Sequence, residues 1–301
     1  MRIGWREDRD MQTIDRIDDW AAAVDNRAAV PEHETRFAEW RARAAAFRAS
    51  HAPDTRPYGE AEREAFDLWM PEGPPKGLAV FIHGGWWMNF DKSCFSHLAA
   101  GPIANGWAVA IPSYTLLPDI TLTGLVQQVR GAVNAVARAV PDVPLVLSGH
   151  SAGGHLAALC GTDVAGLEED VHARLVRIVS ISGLHDLRPL RPLPINETLG
   201  ITTAESYALS PALHTPRPGF DLVAWVGARE TPEFRRQNAL LGVAWGGYAT
   251  TRSVEAEDLD HFTVIAPLAD PESALTRMVV AEGVAARTES AAALPAPLLL
   301  S

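Results

Sequence analysis

The stretch VPLVLSGHSAGGHLAAL, residues 143–159, decides how this chain is read. Pro144 followed by Leu145, Val146 and Leu147 predicts a short buried strand entering from a turn. Leu156 and Leu159, with small residues between them, predict a helix packed closely on a sheet. Between the two lies Gly149-His150-Ser151-Ala152-Gly153, the pattern G-x-S-x-G. Strand before and helix after, this is the turn that presents a nucleophilic serine. The serine must sit on a strained turn, where a Cβ two residues to either side would collide. Gly149 and Gly153 remove those atoms and let strand and helix approach. A bare match is a weak signal in a chain with 23 glycines. The flanking elements and a second glycine motif upstream carry the functional reading.

That second motif is LAVFIHGGWW, residues 78–87, a buried strand that breaks at a double glycine. Further buried strands are expected at 107–114, 174–183 and 221–230, an alternating one at 64–70, and one more at 248–255. Leu125, Val126, Val129, Val133 and Val136 share one face of a helix that stops at Pro141, and another helix is expected over about 271–286. Apolar strands alternating with helices imply an α/β fold, a mostly parallel central sheet with helices on both faces. Active groups then sit at the C-terminal ends of strands, which puts His83, Ser151, Asp186 and Glu230 along one rim. Phe37, Trp40, Ala44 and Phe47 recur at helical spacing, so an amphipathic helix is expected over 31–49, packed on the surface or partly covering the site. Residues 51–59 read as a Pro-punctuated loop. Residues 188–218, rich in Pro, read as a small insertion over the active-site rim, and the tail after Arg287 as frayed. No repeat or interdomain linker is visible, so a single domain over 1–301 is expected, with a helical extension at about 11–55.

Composition narrows the function. With 47% hydrophobic and 21% charged residues, the chain can bury a sizeable core. A net charge of −11 argues against nucleic acid or an anionic membrane as partner, because both demand clustered Lys and Arg. The charged start MRIGWREDRDMQ does not read as a signal peptide, and two cysteines cannot frame a disulfide scaffold. A reducing, cytoplasmic location and a small-molecule substrate are the expectation. The oligomeric state stays open, a homodimer among the options.

A serine hydroxyl is a poor nucleophile until a base takes its proton, and the base needs a carboxylate to hold its tautomer. In sheets carrying this serine turn, the chain order is serine, acid, histidine. Of ten histidines, His261 in EDLDHFTVI is the one beyond the last strand, whereas His83 is expected to brace the glycine turn. Glu230 ends the strand DLVAWVGARE, where the acid belongs; Asp186, one strand earlier, is its rival. Asp258 and Asp260 share the loop of His261 and are poorly placed to hold its ring from behind. An oxyanion hole needs the N–H after the nucleophile, here Ala152, and N–H groups of the glycine turn. Gly85 and Trp86 are the expected donors and Gly84 the nearest alternative, with Trp86 and Trp87 expected to line the substrate pocket. No metal-ligand spacing or phosphate-binding glycine loop is present, so no cofactor and no metal are expected.

Taken together, HGGWW (83–87) resembles the HGGxW motif of the kynurenine formamidases (arylformamidases), a family of α/β-hydrolases. The resemblance extends over VDNRAAVPEH, DKSCF, GHSAGGHLAAL, SGLHDLRPL, INETLG, ETPEFRRQ, DHFTVI and LADPESALTRMVV, about residues 24–285. It implies an α/β-hydrolase fold, Ser151 as nucleophile, Glu230 as acid and His261 as base. It also implies hydrolysis of N-formyl-L-kynurenine, or a related aryl formamide, to the amine and formate through an acyl-enzyme. Three positions depart from the pattern: Glu230 stands where Asp is expected, Cys94 where an acidic residue is expected, and Trp86 is bulkier than usual. The alternative activity is a carboxylesterase for small acyl esters; a hydrolase-fold binding protein without catalysis is disfavoured, since all three catalytic residue types are present in order.

Overall fold

The structure is a computed structural model in which residues 16–281 are described. The expected frayed tail, the first residues of the N-terminal extension and the last turns of the helix expected to reach 286 lie outside them. The described chain runs α1 (Trp20–Val24), α2 (Asn26–Ala29), α3 (His33–Ser50), β1 (Asp54–Pro57), β2 (Ala65–Trp69), β3 (Leu78–Ile82), a 3₁₀ stretch (Lys92–Ala99) and α4 (Ala100–Ala104). It continues β4 (Ala108–Pro112), α5 (Leu122–Ala139), β5 (Leu145–His150), α6 (Ala152–Cys160), α7 (Glu169–His172), β6 (Leu175–Ile181), α8 (Asn196–Leu199) and α9 (Thr203–Ala208). Last come β7 (Asp221–Gly227), α10 (Pro232–Trp245), β8 (Thr251–Ala256) and α11 (Ala274–Val279).

The eight strands form one sheet in the order β1-β2-β4-β3-β5-β6-β7-β8. β2 pairs antiparallel with β1 and β4; β3 to β8 run parallel. Side chains alternate across a strand, and both faces are covered. In β3, Leu78, Val80 and Ile82 pack with Leu125, Val129 and Val133 of α5 and Leu156 of α6. Ala79 and Phe81 face the other way, into a layer with Phe37 and Trp40 of α3, Phe95 and Leu98 of the 3₁₀ stretch, and Leu275 and Val279 of α11. Burial on both faces explains why β3 to β7 read as nearly continuous apolar runs, whereas β8 at the edge is largely exposed.

Residues 51–59 depart from the expected loop. β1, with the sequence DTRP, has all four residues exposed and owes its form to pairing with β2, Asp54 opposite Leu68. Pro57 is tolerated because this is an edge strand. The Pro-rich segment packs on α6 and α10: the Leu209 carbonyl accepts from His155 Nε2 at 2.7 Å, and Trp245 Nε1 donates to the Pro211 carbonyl at 3.2 Å. No described helix is long and apolar enough to cross a membrane.

Candidate active site

β5 ends at His150 and α6 begins at Ala152, leaving Ser151 as the single residue of the turn at φ 55°, ψ −118°. A non-glycine residue in that region is strained. Its neighbours explain the glycines: a Cβ on Gly149 would lie 2.1 Å from the Gly153 carbonyl oxygen, and one on Gly153 would lie 2.0 Å from that of Ile82. Both approaches are too close for any side chain, so strand and helix can meet only as glycines.

The loops after β7 and β8 are clipped together. Ala228 N–H donates to the Ala256 carbonyl at 2.8 Å and Arg229 N–H to that of Leu259 at 3.0 Å. Gly227 permits this, since a Cβ there would meet the Leu259 carbonyl oxygen at 2.3 Å. The clip brings Glu230 to His261. Imidazole Nδ1 lies 2.6 Å from Glu230 Oε2, with both side chains buried. Glu230 Oε1 accepts from Gly227 N–H at 2.8 Å and from the Ser182 hydroxyl at 2.5 Å. Asp260 Oδ1 accepts from the N–H groups of Phe262 and Thr263, which shapes the turn carrying the imidazole. Asp258 pairs with Arg229 at 2.8 Å. Asp186 is held by Arg188 at 2.8 and 2.9 Å, away from His261. A carboxylate on Nδ1 holds the imidazole with that nitrogen protonated and leaves Nε2 free to accept a proton.

Ser151, His261, His150, Gly84, Gly85 and Trp86 line one cavity of about 30 Å³. Gly84 lies against the serine: a Cβ on it would be 3.1 Å from Ser151 Cβ and 2.5 Å from the His150 carbonyl oxygen. The turn continues through left-handed Gly85, Trp86 and Trp87, at φ 108°, 54° and 55°. The Gly85 carbonyl accepts from Met88 N–H and Asn89 Nδ2, which fixes the turn from outside. As the first residue of α6, Ala152 has no intrahelical acceptor for its N–H. The glycine turn and the start of α6 thus lie beside Ser151.

His83 braces the turn: Nδ1 donates to the Gly84 carbonyl at 2.9 Å, and the ring stacks on Tyr114 with centroids 4.4 Å apart. Burial pushes its pKa down to about 4. His150 Nε2 donates to the His261 carbonyl at 2.9 Å, and burial, reinforced by the nearby His261, holds it well below the usual histidine range. It ties the serine turn to the histidine loop as a neutral ring.

Trp87 corrects the expected pocket. It is fully buried in the core, edge-on to His155 with centroids 5.1 Å apart, and does not line the cavity. Trp86 alone of the pair does. Consecutive left-handed residues send the two indoles different ways, which no periodicity announces. The remaining wall comes from Phe37 and Trp40 of α3, the helix expected to pack on the surface or partly cover the site, and from places the sequence did not flag: Asn26 and Arg27 of α2, Phe90, Phe95 and Phe262. α3 therefore covers the site. Ser182 and Phe234, whose ring lies 4.5 Å from that of His261, were also not singled out. Among the described residues, no group of three or more His, Cys, Asp or Glu could hold a metal ion.

The BD-FAE family profile matches residues 66–202. The kynurenine formamidase of Danio rerio is 31% identical over 234 residues, covering 74% of this chain and 79% of that protein. The chain belongs to the kynurenine formamidase family. The Drosophila melanogaster kynurenine formamidase is 28% identical over 62% of the chain and 64% of its own length. Among solved structures, a protein of Silicibacter sp. TM1040, provisionally named a thioesterase, superposes with a TM-score of 0.82 at 43% identity, covering 87% of this chain and 98% of that one. Esterase B of Lactobacillus rhamnosis, at 18% identity and a TM-score of 0.60 over 85% of this chain and 96% of that one, shares the fold. Membership in the kynurenine formamidase family and the α/β-hydrolase fold make this protein a hydrolytic enzyme.

Proposed function

We propose that the protein hydrolyses N-formyl-L-kynurenine, or a related aryl formamide, with Ser151 as nucleophile, His261 as general base and acid, and Glu230 as the carboxylate that orients it. The observation that carries this reading is the buried Glu230–His261 pair opening onto the cavity that holds the strained Ser151. His261 Nε2 takes the serine proton as Oγ attacks the formyl carbon. The oxyanion of the tetrahedral intermediate accepts from N–H groups of Gly85, Trp86 and Ala152. Its C–N bond then breaks, His261 returns the proton to the departing aryl amine, and Ser151 is left formylated. Water, deprotonated by the same imidazole, attacks the formyl ester and releases formate.

Family membership supports the formamide, and the cavity supports an aromatic amine, since Phe37, Trp40, Trp86, Phe90, Phe95 and Phe262 form much of its wall. The second reading, hydrolysis of small acyl esters or thioesters, is favoured by the 43% identical relative with a provisional thioesterase name. A fluorophosphonate probe tests the nucleophile. Mass spectrometry is expected to find one adduct, on Ser151, and none in the Ser151→Ala variant. An adduct elsewhere, or unchanged turnover in that variant, overturns the mechanism.

A further inference from the structure

The cavity contains a polar feature that hydrolysis itself does not use. Asn26 is 4% exposed and lines the same cavity as Ser151 and His261, yet neither Oδ1 nor Nδ2 has a hydrogen-bond partner among the described residues. Buried amide atoms are ordinarily paired. Next to it, Arg27 also lines the cavity, with its guanidinium carbon 5.8 Å from the centre of the Phe37 ring. Two carboxylates share the adjoining groove with Arg27, and both have other partners. Asp91 accepts from Ser93 N–H and the Ser113 hydroxyl, and Glu34 lies 3.4 Å from His33.

The segment bearing these residues is anchored. The Asp25 carboxylate caps Ala28 N–H at 3.0 Å, and the Thr231 hydroxyl donates to the Ala23 carbonyl at 2.6 Å. Val24 and Val30 on either side are buried in the two opposite core layers. Asn26 is thus held in the cavity wall with two donors and an acceptor unspent, and a cation sits beside it. Phe37, Trp40, Phe90 and Phe262 supply the apolar remainder.

We propose that Asn26 and Arg27 are the specificity-determining residues for the leaving group, and select an aromatic amine that carries a carboxylate. The Asn26 amide pairs with an amine or carbonyl on the ring, and the Arg27 guanidinium takes the carboxylate. An aromatic slot suits the ring, an amide matches a group that both donates and accepts, and a planar guanidinium matches a carboxylate. The proposal rests on the formamidase reading only for which bond is broken; recognition of the amine is a separate binding property.

Calorimetric binding of two product-like amines tests it without turnover. Kynurenine carries the amine, the ring carbonyl and a carboxylate; 2-aminoacetophenone keeps the first two and lacks the amino-acid end. Kynurenine is expected to bind the wild-type protein at least about tenfold more tightly, and Arg27→Gln to cut that ratio to below about threefold. Asn26→Leu, close in volume, should weaken both ligands by about tenfold and leave the ratio. Should that variant lose its circular-dichroism signature of folding, Asn26→Asp keeps the size and should weaken kynurenine more than the neutral amine. A ratio unchanged by Arg27→Gln, wild-type affinity in the folded Asn26 variant, or no binding of either amine to the wild type overturns the proposal. If the binding pattern holds but formylkynurenine is not hydrolysed, the formamidase reading falls and this inference stands.

Discussion

Replacing Glu230 by Gln tests how the histidine is held. Oε1 sits between two donors, Gly227 N–H at 2.8 Å and the Ser182 hydroxyl at 2.5 Å, and Oε2 faces His261 Nδ1 at 2.6 Å. Gln has the same shape but one oxygen and one NH₂. The Gly227 N–H cannot become an acceptor, so the amide oxygen must take the Oε1 position and the NH₂ must face His261. Nδ1 then has to accept, which moves the imidazole proton to Nε2, the nitrogen that should receive the serine proton. The ring keeps its position and loses its function as a base. Tautomer inversion of this kind costs about 10⁴ in kcat, about 5 kcal/mol of transition-state stabilisation. Asp186→Asn, whose carboxylate is engaged by Arg188, should change kcat by less than about tenfold. The assay is steady-state turnover of formylkynurenine by both variants, with circular dichroism as the check on folding. The reasoning is refuted if Glu230→Gln retains kcat within tenfold of wild type, or if Asp186→Asn is the worse of the two.

Gly84→Ala places a methyl 2.5 Å from the His150 carbonyl oxygen and 3.1 Å from Ser151 Cβ, so the turn must shift. kcat should fall by at least about tenfold and stability by about 1–3 kcal/mol, read by kinetics and urea unfolding. Trp87→Ala empties a fully buried site and should cost about 3–5 kcal/mol in urea unfolding, whereas Trp86→Ala should act mainly on KM. Acid should destabilise the fold through histidines buried as neutral rings. Burial lowers His83 and His155 to about 4 and His185 to about 3, whereas in the unfolded chain they titrate near 6.5. Below that pH the unfolded state binds more protons, so stability is full above about 6.5 and is lost as pH falls toward about 4. Urea midpoints at pH 7.5, 6 and 5 should decrease in that order, and equal midpoints would show that these rings do not couple folding to protons.

The strands β3 to β7 were legible because burial on both faces leaves short apolar runs. β1 was not: DTRP is exposed throughout and is a strand only because β2 offers it an edge. Glu230 and His261 could be nominated from their places after β7 and β8. Their contact depends on the backbone clip that Gly227 permits, a distance relation absent from spacing. Ser182, at φ 51°, looks in the sequence like any strand-end serine. Asn26 and Arg27 of α2 follow directly on α1, whose Ala23 carbonyl accepts from the Thr231 hydroxyl, a long-range contact that local pattern does not encode.

The most direct measurement is kcat/KM of the purified protein for N-formyl-L-kynurenine beside its N-acetyl counterpart and p-nitrophenyl acetate. An aryl formamidase should turn over the formyl compound at least about tenfold faster than the acetyl one, about 1.4 kcal/mol of transition-state discrimination. Ready hydrolysis of the ester with no hydrolysis of formylkynurenine would contradict the account and leave an esterase in its place.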